Sequence, residues 1–217
     1  MKAIIIGSTG LIGNELLHIL ENDNYFDQIE LWVRKPIQIQ NNKINTRIID
    51  FNKIDEIVKV EADVVFSCIG TTIKNAKTKE AFRNVDFDIT INIGKVLAKS
   101  EIKKLIIVSS LGADKNSNNF YLKTKGEMEY AVSQLNILSI IFMRPSMLLG
   151  DRSEFRFGEI IGKYMMQIFS FLFFGKFRKN KAIHAYTVAK AMFRAAKTNF
   201  SGIKVLESDE IEIIANN

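Results

Sequence analysis

The chain has 217 residues, of which 47% are hydrophobic and 25% are charged, a composition typical of a globular protein with a full core. One cysteine, Cys68, excludes an intrachain disulfide and a cysteine-based zinc site, and the two histidines, His18 and His184, stand too far apart for a histidine metal motif. The net charge of +6 favours an anionic partner, which a phosphate-bearing ligand, a nucleic acid or a membrane surface would each provide.

No stretch of the sequence predicts a targeting or membrane-spanning segment. Four apolar residues separate Lys2 from Gly7, too few for the apolar core of a signal peptide. The longest apolar stretch, residues 164–174, falls short of the roughly 20 residues that span a bilayer. We therefore expect a soluble, cytoplasmic protein.

Apolar runs alternate with helix-like stretches along the first two thirds of the chain. Continuous Ile and Val runs are typical of strands that are buried on both faces of a parallel sheet. Strands are predicted at residues 2–6, 29–33, 47–49, 63–69, 104–108 and 138–142, and helices at 11–21, 54–59, 79–99 and 122–134. This alternation predicts βαβ units and an α/β fold: a doubly wound parallel sheet with helices on both faces.

The pattern changes after Gly150. Residues 159–174 carry apolar side chains at i, i+4 and i+8, which predicts a helix with one wide apolar face. A second helix at 185–197 and a short strand at 204–206 follow. We expect residues 1–217 to form a single domain in which 151–217 contribute a small C-terminal helical cap on the substrate side.

A glycine-rich turn lies between the first predicted strand and the first predicted helix. It reads Gly7-Ser8-Thr9-Gly10-Leu11-Ile12-Gly13. In the dinucleotide fingerprint, the first glycine permits the tight turn, the second lets the backbone approach a pyrophosphate, and the third lets helix and strand pack closely. The free N–H groups and the dipole of the helix N-terminus then attract phosphate. The turn therefore predicts a dinucleotide site.

Two cations follow the second strand. An NAD site usually has an acidic residue about 20 positions past the glycines, but here that place holds Arg34, followed by Lys35. A pair of cations suits the 2′-phosphate of NADP(H), so NADP(H) is favoured over NAD(H). Asp50 after the third strand, and Ile69 and Gly70 after the fourth, are expected to border the adenine and its ribose.

A Tyr-x-x-x-Lys pair, Tyr121 and Lys125, opens the helix that follows the fifth strand. The i, i+4 spacing places both side chains on one helix face, where the lysine charge favours the phenolate and lets the tyrosine exchange a proton with a carbonyl or alcohol. Ser109 and Ser110, at the end of the fifth strand, are candidate partners in the same chemistry.

Together these motifs resemble the short-chain dehydrogenase/reductase superfamily, and most closely its atypical NAD(P)-binding branch that includes the Tat-interacting oxidoreductase-like proteins. Five segments carry the similarity. In chain order they are Cys68-Ile69-Gly70-Thr71-Thr72, Ala81-Phe82-Arg83-Asn84-Val85-Asp86, Ser109-Ser110-Leu111-Gly112-Ala113-Asp114, Phe120-Tyr121-Leu122-Lys123-Thr124-Lys125-Gly126-Glu127 and Arg144-Pro145-Ser146-Met147-Leu148-Leu149-Gly150-Asp151-Arg152. The resemblance implies a Rossmann-type fold over nearly the whole chain.

The resemblance also implies roles for single residues. Tyr121 would be the catalytic acid, and Lys125 would bind the nicotinamide ribose and tune the tyrosine. The loop after Pro145, including Leu148, would close over the cofactor, and Arg156 would reach its phosphates. Many active relatives carry the catalytic serine where this chain has Leu111, so Ser109 or Ser110 would have to replace it.

The sequence therefore predicts an NADP(H)-dependent reductase of a small, fairly apolar carbonyl compound. The alternative is a non-catalytic NADP(H)-binding regulatory or redox-sensing protein that docks a partner through residues 164–174. The same segment, flanked by lysines, leaves a membrane contact or a homodimer open. A nucleic-acid partner is disfavoured because no basic recognition helix is present.

Overall fold

The computed structural model describes residues 1–57, 59–100, 102–149 and 182–217. These residues form a seven-stranded, fully parallel sheet with the order β3-β2-β1-β4-β5-β6-β9. Its strands are β1 (Lys2–Ile6), β2 (Gln28–Val33), β3 (Ile44–Ile48), β4 (Val64–Ser67), β5 (Lys104–Val108), β6 (Ser139–Arg144) and β9 (Gly202–Glu207). Two short strands, β7 (Leu148–Leu149) and β8 (Ile183–His184), pair with each other. The predicted doubly wound parallel sheet is confirmed.

Helices connect the strands. They are α1 (Leu11–Glu21), α2 (Ile73–Ala76), α3 (Lys79–Arg83), α4 (Thr90–Lys99), α5 (Phe120–Ser133), α6 (Ala185–Lys197) and α7 (Ser208–Asn216), with a 3-10 turn at Phe51–Glu56. A π-helical segment, Asn84–Ile89, joins α3 to α4, so the helix predicted over 79–99 is continuous but irregular in its middle.

The core lies in two layers, one on each face of the sheet. Successive strand residues point to opposite faces, so Ile5 packs with α1 and α6 while its neighbour Ile4 packs with α4 and α5. Both isoleucines are fully buried. Burial on both faces explains why the central strands read as unbroken apolar runs.

The C-terminal segment corrects one expectation. The strand predicted over 204–206 does not belong to a cap, because β9 pairs with β6 at the edge of the main sheet. Helix α6 covers the sheet beside α1, and the buried Lys104 ammonium of β5 donates to the carbonyls of Ala195 and Ala196 at the end of α6. The helix predicted over 159–174 lies outside the described residues.

Two further boundaries differ from the sequence prediction. β3 begins at Ile44 rather than at Arg47, because it is an edge strand whose polar residues face solvent and leave no continuous apolar run. The helix predicted over 54–59 is the 3-10 turn that Asp50 caps. In the part of the chain that is described, no helix has both the length and the apolar character needed to cross a membrane.

Candidate active site

The glycine turn between β1 and α1 is built by close backbone contacts. Gly7 has a φ of +86°, which side chains rarely adopt, and a Cβ atom there would lie 2.8 Å from the Cys68 carbonyl carbon. A Cβ atom on Gly13 would lie 2.1 Å from the Gly7 carbonyl oxygen. The N–H of Gly10 donates to the same oxygen at 3.0 Å. Helix α1 therefore begins pressed against the end of β1, as the sequence predicts.

The start of α1 is available to an anion. Gly10 occupies the cap position and supplies no side chain to the first N–H groups of the helix. The hydroxyl of Ser8 is buried and has no hydrogen-bond partner among the described residues. Unpaired helix N–H groups beside an unsatisfied buried hydroxyl are the donors that a pyrophosphate binds.

A cavity of about 700 Å³ opens above this turn. Its wall contains eight of the residues predicted to bind the cofactor: Gly7, Ser8, Thr9, Gly10, Arg34, Lys35, Ile69 and Gly70. Leu11, Ile12 and Gly13 belong to the first turn of α1 behind that wall. The glycine turn, the free helix end and the size of the cavity together fit a dinucleotide.

The cavity wall also contains residues that the sequence analysis missed. Trp32 and Phe51 are buried aromatic residues that line it, and Val85 and Ile89 reach it from the π-helical segment. For Phe51 the sequence offers one weak indication, since this residue directly follows Asp50, a predicted neighbour of the adenine and its ribose. These apolar surfaces suit a flat base such as adenine.

Asp50 itself is placed differently from the prediction. Its carboxylate accepts a hydrogen bond from the Asn52 N–H at 3.0 Å and caps the 3-10 turn. It does not belong to the cavity wall, where the neighbouring Phe51 stands instead.

Arg34 and Lys35 are exposed and stand on the cavity wall directly after β2. Cys68 lines the same cavity beneath the glycine turn, and burial raises the pKa of its thiol to about 12. The thiol therefore stays protonated at neutral pH and lacks the thiolate that nucleophilic chemistry needs.

Tyr121 and Lys125 lie one turn apart at the start of α5. The half-buried Tyr121 ring packs against Phe82, with the ring centroids 5.3 Å apart. The N-terminal cap is Asn119, whose side chain accepts a hydrogen bond from the Leu122 N–H. The i, i+4 geometry predicted for the pair is the one that α5 provides.

The Lys125 ammonium is almost fully buried and forms an ion pair with Asp86, with Nζ 2.6 Å from Oδ1. Burial lowers the pKa of Lys125, but attraction to Asp86 and Tyr121 outweighs it and leaves this pKa above its ordinary value. Lys125 therefore remains charged at neutral pH. A Cβ atom on Gly70 would lie 3.6 Å from Nζ, so the lysine sits beside the cavity wall.

The serine pair lies at the end of β5. Ser109 and Ser110 are both buried; the Ser110 hydroxyl donates to the Leu111 carbonyl at 3.3 Å, whereas the Ser109 hydroxyl has no partner among the described residues. Leu111 is also buried, and its N–H donates to the Pro145 carbonyl. Ser109 thus has a free hydroxyl, the property needed to bind a substrate oxygen.

The predicted cofactor contact Leu148 is placed away from the cavity wall. Leu148 lies in β7, pairs in register with Ile183 and packs against the core face of α1 and α6. It is not part of the cavity wall. Arg156 lies outside the described residues.

Comparison with known proteins decides the family. A sequence model whose family is described as NAD(P)H-binding matches residues 7–160, from the glycine turn past β7. The chain belongs to this NAD(P)H-binding family. Protein HTATIP2 of Rattus norvegicus is 31% identical over 220 residues, which cover 97% of this chain and 87% of that protein. The mitochondrial protein FMP52 of Debaryomyces hansenii is 34% identical over 157 residues, 71% of this chain and 70% of that one.

Solved structures agree on the fold. The protein is similar to MoeE5 in complex with UDP-glucose and NAD, with a TM-score of 0.71 and 14% identity over 100% of this chain and 81% of that chain. Human epimerase family protein SDR39U1 with NADPH gives a TM-score of 0.66 and 17% identity over 97% and 77% of the two chains. These structures confirm the predicted Rossmann-type fold. The matching family model and the similarity to HTATIP2 confirm the resemblance to atypical short-chain dehydrogenases/reductases.

Proposed function

We propose that this member of the NAD(P)H-binding family is an NADP(H)-dependent oxidoreductase that reduces a small, fairly apolar carbonyl compound. The observation that carries the proposal is the contact between the cofactor cavity and an acid–base pair. Gly70 lines the cavity and adjoins the Lys125 ammonium, and Tyr121 stands one helical turn from that ammonium. A nucleotide cavity next to a Tyr–Lys pair suits proton-coupled hydride transfer.

Preference for NADP(H) over NAD(H) is part of the proposal. Arg34 and Lys35 stand on the cavity wall directly after β2, where an NAD site would have an acidic residue for the ribose 2′-hydroxyl. A guanidinium can bind a phosphate through two hydrogen bonds, so Arg34 is the residue assigned to the 2′-phosphate.

Three side chains would have separate roles in the reaction. When bound, the nicotinamide supplies the hydride. Tyr121 donates its hydroxyl proton to the carbonyl oxygen as that oxygen gains negative charge, and later recovers a proton from solvent. The Lys125 ammonium stabilises the phenolate left behind and binds the nicotinamide ribose. Ser109, with its unpaired hydroxyl, holds the carbonyl oxygen in place of the usual serine.

The apolar character of the substrate follows from the surroundings of the tyrosine. The rings of Phe82 and Phe120 pack together, with centroids 5.8 Å apart, and Tyr121 joins them. Phe120 and Tyr121 are partly exposed. Burying the apolar body of a small aldehyde or ketone against them would be favourable, because it removes apolar surface from water.

Titration with NADPH and NADH, followed by nicotinamide fluorescence, tests the cofactor assignment. We expect NADPH to bind more tightly, and Arg34→Ala to weaken NADPH by about tenfold to a hundredfold, the effect of losing a charge-assisted hydrogen-bond pair. NADH affinity should change little in the variant. Failure of the wild-type protein to bind either nucleotide would refute the proposal, and equal losses for both would refute the role of Arg34.

The alternative is a protein that binds NADP(H) and regulates a partner without turnover. Leu111 favours it, because a buried leucine stands where many active relatives carry the catalytic serine. A screen of aldehydes and ketones with the NADPH-saturated protein separates the two functions. NADPH oxidation that requires Tyr121 supports the reductase, whereas tight NADPH binding without oxidation of any carbonyl supports the regulator.

A further inference from the structure

Asp86 is a buried carboxylate to which neither the sequence analysis nor the proposed function gives a role. It is 1% exposed and lies in the π-helical segment between α3 and α4. Such segments widen a helix by one residue and often occur at functional sites. A carboxylate is rarely buried without a specific partner, because removing its charge from water is strongly unfavourable.

The partners of Asp86 come from two separate elements. One carboxylate oxygen, Oδ1, lies 2.6 Å from the Lys125 ammonium nitrogen of α5. The other, Oδ2, accepts a hydrogen bond from the Thr71 N–H at 2.9 Å, in the loop after β4. Thr71 and its neighbour Gly70 line the nucleotide cavity. One side chain therefore joins the cavity loop to the lysine of the acid–base pair.

The charges around Lys125 are few. Within the described part of the chain, Asp86 acts on it from the π-helical segment, and Tyr121 and Glu129 act from its own helix. Glu129 is itself held by the Arg144 guanidinium, which donates two hydrogen bonds to its carboxylate. The loop residues Gly70 and Thr71 add no charge. Asp86 is thus the carboxylate in direct contact with the buried ammonium.

We propose that Asp86 is a positioning residue that keeps Lys125 charged and fixed against the Gly70–Thr71 loop, so that the lysine is ready for the nicotinamide ribose. This inference rests on the proposed cofactor binding. Without Asp86, burial would favour the neutral amine, and Lys125 would lose its proton as the pH rises. The ammonium would then no longer donate to the ribose hydroxyls as a charged group, and the affinity for cofactor would become dependent on pH.

The test is NADPH titration of the full chain at several pH values between 6.5 and 9. Asp86→Asn keeps the size and shape of the side chain and can still accept from Thr71 N–H. We expect its dissociation constant, relative to that of the wild type at the same pH, to rise by about tenfold from pH 7 to pH 9, since protonation falls tenfold per pH unit above a pKa. Dividing by the wild-type value at each pH removes the titration of the cofactor itself.

The matched control is Glu127→Gln. It removes a carboxylate from α5, the helix that carries Lys125, but the partner of this carboxylate is Arg83. Its relative affinity should stay flat across the pH range. A flat profile in Asp86→Asn as well would overturn the inference while leaving NADPH binding intact, whereas a wild type that binds no NADPH would overturn the proposed function.

A measurement on the wild type covers the case in which Asp86→Asn does not fold. With ¹³C-labelled lysine, the side-chain resonance that disappears in Lys125→Met is followed by NMR as the pH rises. We expect it to titrate no earlier than the exposed lysines do. Titration well below them would overturn the inference, because Asp86 would then fail to hold the charge of Lys125.

Discussion

The two ends of the nucleotide cavity are built from different parts of the chain. At one end, the turn from Gly7 to Gly13 uses backbone atoms in close contact, with a helix end left open. At the other end, the Gly70–Thr71 part of the wall adjoins side chains that lie behind it. These are Lys125 and Asp86, with Tyr121 one helical turn from Lys125, and each is held by a specific partner. The first end is sensitive to any added atom. At the second end, the loss of one charge or one hydroxyl should impair function while leaving the structure unchanged.

The largest expected effect on the folded structure belongs to Gly13→Ala. The added methyl would lie 2.1 Å from the Gly7 carbonyl oxygen, a backbone atom that cannot move aside as a flexible side chain would. Overpacking of this kind costs about 1–3 kcal/mol, which lowers Tm by roughly 2–12 °C in a chain of this size. NADPH affinity should fall together with Tm, as measured by fluorescence titration and thermal denaturation. If Tm and NADPH affinity were both unchanged, the close approach of Gly13 to the Gly7 carbonyl oxygen would not be what holds the turn.

Tyr121→Phe should have its effect on turnover alone. A positioned general acid contributes about 10²–10⁴-fold to a rate, so kcat should fall by a factor in this range for any carbonyl compound the wild type reduces. The phenylalanine ring keeps the packing against Phe82, so the dissociation constant for NADPH should change by less than about threefold. The control is Tyr130→Phe, an exposed tyrosine of the same helix. Equal kcat values for Tyr121→Phe and Tyr130→Phe would show that Tyr121 is not the general acid.

The smallest expected effect belongs to Gly70→Ala, which adds the same methyl group at the other end of the cavity. Its Cβ atom would lie 3.4 Å from Asp86 Oδ1 and 3.6 Å from Lys125 Nζ, both ordinary contact distances. Tm should change by less than about 2 °C, and NADPH affinity by less than about threefold. A loss as large as that in Gly13→Ala would show that an added methyl group is tolerated no better at Gly70 than at Gly13.

The same contrast explains how much the sequence could predict. The glycine turn is a local motif between a strand and a helix, so its place in the cavity could be read from adjacent residues. The Asp86–Lys125 pair joins two distant segments, and nothing near Asp86 in the sequence indicates its partner. The place of β9 is likewise a long-range property: the sequence predicts that its strand belongs to a cap, because nothing in residues 202–207 indicates pairing with β6.

Local signals were also missed or misplaced. Helix α7 was not predicted, although Glu207 and Glu210 form a capping box at its start. The place of Asp50 after β3 predicts that it borders the adenine and its ribose, yet the next residue begins a 3-10 turn and the Asp50 carboxylate accepts from the Asn52 N–H of that turn. The cytoplasmic location, the homodimer and the membrane contact stay predictions.

The position of the last helices affects how the chain can fold during synthesis. The apolar face of α1, with Leu16 and Leu20, is buried in a cluster that includes Val188 and Met192 of α6. The ribosome therefore synthesises α1 long before α6, the helix that covers it. The β6 edge of the sheet also stays unpaired until β9 emerges. A nascent chain stopped near residue 149 would contain the whole glycine turn. It would still expose the apolar face of α1 and the edge of β6, which are the kinds of surface that a chaperone binds.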